Sequence, residues 1–253
     1  MNGKIAVAQD KAGMLNRIAS LLSAARKAKP EPEGHSKADK TAEKSQRRLD
    51  RALYGAAESG KCRRITSLVE AGADMSNSVC GQTPLMAAIK RRRENAARLL
   101  KTMGATLAAA EQNAVNSELY GVTVRLNSDS TPYDPKCTTE SKRREALFLV
   151  AVGADPSAIQ ETCATKRNAL MWAVTEGEVE LVRAYAKAIV SNGGNINATE
   201  PIFGNTALGL ARKEAQKGNG SSAPVFDEVA GILQNEFGAD PEAKGEAKGL
   251  MKI

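Results

Sequence analysis

Histidine occurs once in the 253 residues, at His35, and the aromatic side chains number only nine: four Phe, four Tyr and one Trp. Chemistry that relies on several imidazoles, including most zinc hydrolases and histidine relays, is excluded by inventory. Against those nine aromatics stand 42 alanines, so apolar side chains are mostly small and helices can approach closely. That composition favours an Ala-rich helical protein over a sandwich or barrel, whose strands prefer β-branched and aromatic residues. Long apolar runs are also missing. The longest, Ala146 to Ala154, falls far short of the roughly 20 residues of a transmembrane helix. The four cysteines (Cys62, Cys80, Cys137, Cys163) contain no C-x-x-C pair, and the N-terminus lacks the charged, apolar and cleavable pattern of a secretory signal. A reducing, cytoplasmic interior is the expectation. The 42% apolar content suffices for a core, in one large domain or two small ones.

The formal net charge of +7 invites a nucleic-acid reading until it is located. Residues 1 to 51 hold 12 Lys/Arg and 6 Asp/Glu, against 24 and 23 for residues 52 to 253. The basicity belongs to the N-terminal extension, and a nearly neutral body argues against a broad phosphate-binding face.

One short motif recurs five times: Gly72-Ala73-Asp74, Gly104-Ala105-Thr106, Gly153-Ala154-Asp155, Gly193-Gly194-Asn195 and Gly238-Ala239-Asp240. Each follows a helical apolar pattern, such as Ile65, Leu68 and Val69 before the first. A Gly just past a helix closes its last turn in the left-handed conformation, and the Asp or Asn that follows suits a tight turn. The segments after these turns repeat as well. Gly81-Gln82-Thr83-Pro84-Leu85-Met86-Ala87-Ala88 reads as a helix start, with Thr83 as cap and Pro84 at the first helical position. Asn168 to Ala173 and Thr206 to Ala211 are further copies, and Leu53 to Gly60 is a degenerate first one.

With these elements on the page, the chain resembles the ankyrin-repeat family over about residues 48 to 240. The G-x-T-P-L start, the Ala pair, the turn glycines Gly60 and Gly177, and the G-A-D finish all match that helix-turn-helix-hairpin unit. The resemblance implies an all-α solenoid of about five repeats with inter-repeat hairpin loops. There are departures. Met86, Met171 and Gly209 replace the family's His after T-P-L, and successive turn glycines are spaced unevenly, against a family period of about 33. The excess of the third repeat falls in residues 107 to 140, with a first helix expected over Leu107 to Tyr120 and a loop over Asn127 to Thr139. The fourth repeat lengthens its second helix by about a turn, and the fifth carries an insertion over Lys217 to Ser222.

Outside the repeats, Met14, Leu15, Ile18, Leu21, Leu22 and Ala25 form an apolar stripe within an amphipathic helix assigned to residues 1–29. It could cap the first repeat, bind a partner helix or lie on a membrane surface. Residues 30–47 read as a charged, solvated linker with helical potential from about Ser36, and residues 241–253 as a flexible tail.

Gly55 to Cys62 nearly spells a phosphate-binding G-x-x-x-x-G-K-[ST] loop. A strand should precede it, but Leu49 to Ala57 is helical in pattern, and Cys62 stands where a hydroxyl should meet magnesium. Gly218-Asn219-Gly220 is an equally weak dinucleotide echo. Cys137 and Cys163 lack a nearby base, Asp129 and Asp134 are scattered, and Glu176, Glu178 and Glu180 face no second acidic pair, so no catalytic site, metal or cofactor is expected. Lys90 to Arg93, with Lys61, Arg63 and Arg64 one repeat earlier, reads either as a solvated edge or as a docking ridge.

The resemblance implies a non-enzymatic module that binds another protein, one with an acidic surface if the ridge docks it, on the face formed by hairpin tips and first helices. The positions it points to are Glu58, Ser59, Val79, Cys80, Gln82, Lys90 and Arg91, then Arg167, Thr175 and Glu176, then Ile202, Phe203, Asn205 and Lys213. Irregular Ala-rich repeats resemble those of bacterial ankyrin proteins, among which host-directed effectors are a subtype. The alternative is a nucleic-acid or anionic-surface binder acting through residues 1–51.

Overall fold

A computed structural model of the chain describes residues 37–126, 138–160, 166–217 and 223–243. The expected N-terminal stripe, Cys137, Cys163, Asp129, Asp134, the glycine-rich insertion at 218–222 and nearly all of the tail lie outside those residues. The chain divides into two compact units, Met1–Arg47 and Arg48–Ile253. In the first, the described residues from Lys37 onward are helical, as the expected helical potential from Ser36 anticipates, and Arg47 pairs with Glu43 one turn earlier at 2.5 Å.

The fold is all-α. Among the described residues the helices are α1 (Lys37–Glu58), α2 (Cys62–Glu70), α3 (Pro84–Lys90), α4 (Glu94–Thr102), α5 (Ala109–Val124), α6 (Thr139–Ala151), α7 (Ala169–Thr175), α8 (Val179–Ser191), α9 (Ala207–Lys217) and α10 (Ala223–Gly231). A five-residue π-helical turn, Ile232–Glu236, extends the last. Extended pairing among these residues is confined to two isolated bridges, Val79 with Gln82 and Thr199 with Thr206.

The second unit is built from consecutive helix pairs. Helix α3 packs on α4, α5 on α6, α7 on α8 and α9 on α10. The first helices α5, α7 and α9 neighbour one another, as do the second helices α6, α8 and α10 on the other side, with α2 against α4. One apolar core runs through all the pairs, from Leu53 and Ile65 through Leu85 and Leu100, Leu119 and Leu149, Leu170 and Tyr185, to Leu210 and Leu233. Alanines at 56, 57, 88, 97, 146, 173, 186 and 211 are buried between helices, which is how a chain poor in aromatics fills its interior. The one large polar tip in that core, the Tyr185 hydroxyl, lies 2.7 Å from the hydroxyl of Thr123, which itself donates to the Leu119 carbonyl at 2.8 Å. Burial holds the Tyr185 phenol well above its ordinary pKa.

The five recurring turns close the pairs in a shared geometry. At Gly72, Gly104, Gly153 and Gly193 φ lies between 71° and 112°. In each, the glycine N–H bonds the carbonyl three residues back, and the next N–H bonds the one five back, as Gly72 to Val69 and Ala73 to Leu68 at 2.9 Å. This double bond satisfies carbonyls that a helix end otherwise leaves without partners, and it requires the left-handed residue that glycine supplies without strain. At Gly238 the pattern slips to the carbonyl four residues back, that of Gln234, because the π turn adds a residue to the preceding helix. After four of the five turns the next side chain folds back on the chain. Asp74, Asp155, Asn195 and Asp240 accept the N–H two residues on, at 2.8 to 2.9 Å. Three of these four turns are also fastened to a polar side chain elsewhere in the unit. Buried Asp50 accepts the Asp74 N–H at 2.9 Å, Asn116 that of Asp155 at 2.8 Å, and Asn197 that of Asp240 at 2.8 Å.

Helix starts follow the expected capping. Thr83, Asn168 and Thr206 accept the N–H three residues on, at 3.2, 2.9 and 3.0 Å. Gly60 and Gly177 turn between the paired helices with φ of 73° and 68°; at the equivalent place of the second pair stands Arg92, with φ of 53°. The third pair differs from the expected first helix over Leu107 to Tyr120. Its first helix starts at Ala109 and continues to Val124, one turn beyond Tyr120, and its second helix is as long as that of the fourth pair, 13 residues each.

Candidate functional site

The second unit presents a face made of the first helices and the hairpin tips that precede them. At the tip before α3, Val79 and Gln82 exchange backbone bonds of 2.9 and 3.2 Å. Cys80 and Gly81 between them both have positive φ, as a two-residue hairpin requires. Cys80 is exposed and Val79 and Gln82 half-buried. Behind this tip lies a cleft of about 490 Å³ lined by Tyr54, Glu58, Gln82, Ala87, Lys90 and Arg91. Burial, with the Glu58 carboxylate and Cys80 adding to it, raises the pKa of the Tyr54 phenol.

At the far end the tip before α9 is a longer loop. Glu200 and Asn205 close it: the Glu200 N–H donates to the Asn205 carbonyl at 3.0 Å, and the Asn205 amide donates to the Glu200 carboxylate. Ile202 is half-buried and Phe203 is 54% exposed, the most exposed large apolar side chain among the described residues. Phe203, Asn205 and Lys213 line a second cleft, of about 500 Å³, with Arg212, Gln216 and Glu242.

Between the clefts runs a chain of polar contacts that crosses from one pair to the next. Arg167, 20% exposed, donates through Nε to the fully buried carboxylate of Glu200 at 3.0 Å. Its guanidinium stacks 5.6 Å from the centroid of the Trp172 ring, within cation–π range. The Trp172 indole N–H in turn donates to the Tyr120 hydroxyl on α5 at 3.1 Å. Thr175 is half-buried and donates to the Trp172 carbonyl at 2.9 Å. Trp172 occupies the register that Ala87 holds on α3, since Leu170 and Met171 match Leu85 and Met86.

No protein-family model matches this sequence, and no curated protein matches it.

The basic stretch Lys90 to Arg93, read from sequence as a solvated edge or a docking ridge, is not four free cations in a row. Arg91 donates to Glu58 through Nε and Nη2, at 3.0 and 2.8 Å, across two repeats. Arg92 bridges Glu118 at 2.7 Å and also Glu145. Arg93 reaches the Glu58 carbonyl at 3.3 Å. Further along, Arg143 binds Glu178 at 2.8 and 3.0 Å and Glu140 at 2.8 Å, and the hydrogen bond to Glu178 raises its own pKa. Equivalent turns sit side by side, so oppositely charged residues on successive pairs find each other. Two of the four cations, Arg91 and Arg92, are paired with carboxylates, whereas Lys90 and Arg93 are exposed and make no ion pair among the described residues.

Ser59 is turned to its own helix, donating to the Gly55 carbonyl at 2.7 Å, and Glu176 is half-buried at the end of α7. Of the residues singled out from sequence, Glu58, Gln82, Lys90 and Arg91 come together in the first cleft, and Phe203, Asn205 and Lys213 in the second. Arg167 and Thr175 meet at Trp172. Sequence reasoning missed Tyr54, Tyr120, Trp172 and Arg212. The signal for Trp172 was available: a lone Trp at the inward-facing register of an Ala-rich repeat is out of keeping with its counterparts. Among the described residues no three His, Cys, Asp or Glu side chains converge as a metal site, and no helix is long and apolar enough to cross a membrane. The near-match to a phosphate loop at Gly55–Cys62 is the turn from α1 to α2, preceded by helix.

Proposed function

We propose that this chain is a non-enzymatic, cytoplasmic protein-binding module of ankyrin type, its five helix pairs forming a repeat solenoid that engages another protein on the face of first helices and hairpin tips. The observation that carries the reading is the in-register repetition: five glycine turns, three capped helix starts and two hairpin tips recur at equivalent places. They leave Tyr54, Trp172, Arg167 and Phe203 partly exposed on one continuous set of elements. Trp, Tyr and Arg are the residue types that dominate binding energy at protein interfaces, and Trp172 and Arg167 are held in place by hydrogen bonds before any partner arrives. Repeat arrays bind in this way without reacting groups, because each repeat contacts only its neighbours and leaves a long surface free.

The test is capture from cell extract on the immobilised full-length chain, in wild type and two variants. Thr175→Arg places a bulky cation beside Trp172, and Arg98→Glu changes an exposed residue on α4, a second helix. The reading expects a protein retained by wild type and by Arg98→Glu and lost by Thr175→Arg. Retention by Thr175→Arg with loss by Arg98→Glu would move the site to the opposite layer. A nucleic acid as the retained species would favour the extension of residues 1–51 instead.

A further inference from the structure

We infer that the cleft at the start of α9 is the acid-recognising part of the partner face, and that it takes an extended protein segment carrying a carboxylate next to an apolar side chain. This rests on the protein-binding reading above and adds the chemistry of the partner. The sequence places positive charge at Lys90 to Arg93, where Arg91 and Arg92 are paired with Glu58, Glu118 and Glu145; Lys90 and Arg93 stay exposed there, but the first cleft has no strongly exposed large apolar side chain beside them. The cations of the second cleft are placed otherwise. Arg212 is anchored by two neutral acceptors, the Gln234 side-chain oxygen at 3.0 Å and the Pro241 carbonyl at 3.4 Å. These fix the guanidinium without cancelling its charge and leave Nε–H to bind. Lys213, the next residue, is exposed and forms no ion pair among the described residues.

Across the same cleft Phe203 offers an exposed ring on a loop fixed by the Glu200–Asn205 bonds. Glu242 also lines the cleft, and its N–H holds the last turn by donating to Asp240 at 2.9 Å. Two cations against one carboxylate leave the cleft positive, and the carboxylate sets a direction, since an incoming acid must seat at the Arg212–Lys213 side. A volume near 500 Å³ admits a few side chains and no folded domain. A protein segment fits this better than a phosphate backbone. Two cations flanked by Glu242 make a poor track for a polyanion, and residues 52 to 253 carry 24 basic against 23 acidic side chains.

The test is fluorescence anisotropy with the full-length chain and three labelled probes: a short glutamate–leucine peptide, its lysine-for-glutamate counterpart, and a short thymidine oligonucleotide. The acidic peptide should bind, the basic one should not, and affinity should fall as salt rises. Lys213→Glu and Phe203→Ala should each weaken it about tenfold, while Glu242→Gln tightens it. Arg98→Glu, outside both clefts, should leave it unchanged, and circular dichroism confirms that each variant is folded. Binding lost with Lys90→Glu and kept with Lys213→Glu overturns the assignment but leaves a protein-binding face. No binding of the acidic peptide, or preference for the oligonucleotide, overturns it as well.

Discussion

Glu111 carries the joint between the second and third helix pairs, and replacing it gives the sharpest test of how the pairs are coupled. It is the third residue of α5, buried to 8% exposure. One carboxylate oxygen accepts the Thr83 N–H at 2.7 Å. The other accepts the Thr83 hydroxyl at 2.9 Å and the Ala108 N–H at 3.0 Å. Thr83 is itself the cap of α3, so one carboxylate fixes the start of two successive first helices. Ala108 has no side chain to cap α5, which leaves Glu111 as the acceptor for that helix start. In Glu111→Gln only one oxygen remains, so at least one backbone N–H faces an amide NH₂. A buried donor left without an acceptor costs about 1–3 kcal/mol. Glu111→Ala removes all three bonds, and with water admitted to the gap the expected loss is about 3 kcal/mol. For a unit of this size that is a drop in Tm of about 6–12 °C. Because repeats hold together through nearest-neighbour contacts, the loss should also separate unfolding into two stages. Urea titration followed by far-UV circular dichroism reports all helices, whereas Trp172 fluorescence reports the part from α5 onward. The two curves should coincide in wild type and diverge in Glu111→Ala. A Tm within 2 °C of wild type and coincident curves would refute the reasoning.

Removal of Arg167 and of Arg91 should differ sharply. Arg167→Ala leaves the buried Glu200 carboxylate with the Asn205 amide but without its cation, for an expected loss of about 3–5 kcal/mol. Arg91→Ala breaks a pair 63% and 37% exposed, and should cost about 1 kcal/mol or less; denaturant midpoints compare them. The Asp74 carboxyl is held below its usual pKa, chiefly by the Ser76 hydroxyl and N–H. A depressed folded pKa gives stability present above the unfolded value of about 4 and lost as pH falls through the folded value. Asp74→Asn keeps the acceptor oxygen, as Asn195 does in the fourth copy, and should flatten the acid limb of the stability profile below about pH 4 while leaving neutral stability nearly unchanged. Lys61→Ala should leave ATP affinity at background in equilibrium dialysis, because helix α1 precedes the turn where a nucleotide loop requires a strand.

How legible all this was in the sequence depended on range. The glycine turns, the caps at Thr83 and Thr206 and the left-handed Gly60 and Gly177 follow from neighbouring residues, so they could be read directly. So could the all-helical class, from alanine content and apolar spacing. Contacts between repeats could not. That Arg91 seeks Glu58 and Arg92 seeks Glu118 and Glu145 requires knowing which turns lie side by side across unequal insertions, so half of the apparent basic ridge is taken up in ion pairs. Glu111 looked like an ordinary early-helix acid, and its second partner lies 28 residues back. The extension of α5 to Val124 was hidden because Gly121 suggests a helix end, yet the apolar positions Leu119, Val122 and Leu126 continue into the core. Arg212 acquires its place in the second cleft only from Gln234 and Pro241, well beyond its own helix.

The most direct test of the central claim, that the face of first helices and hairpin tips binds protein, uses the sole tryptophan. Trp172 stands in the middle of that face between Tyr120 and Arg167. Titrating the full-length chain with a captured partner while recording tryptophan emission, corrected for the partner's own signal, should show a saturable change in Trp172 intensity or wavelength. The midpoint should match the affinity measured by calorimetry, and the change should vanish with Thr175→Arg. Calorimetric binding that leaves Trp172 emission unchanged and is indifferent to Thr175→Arg would contradict the account.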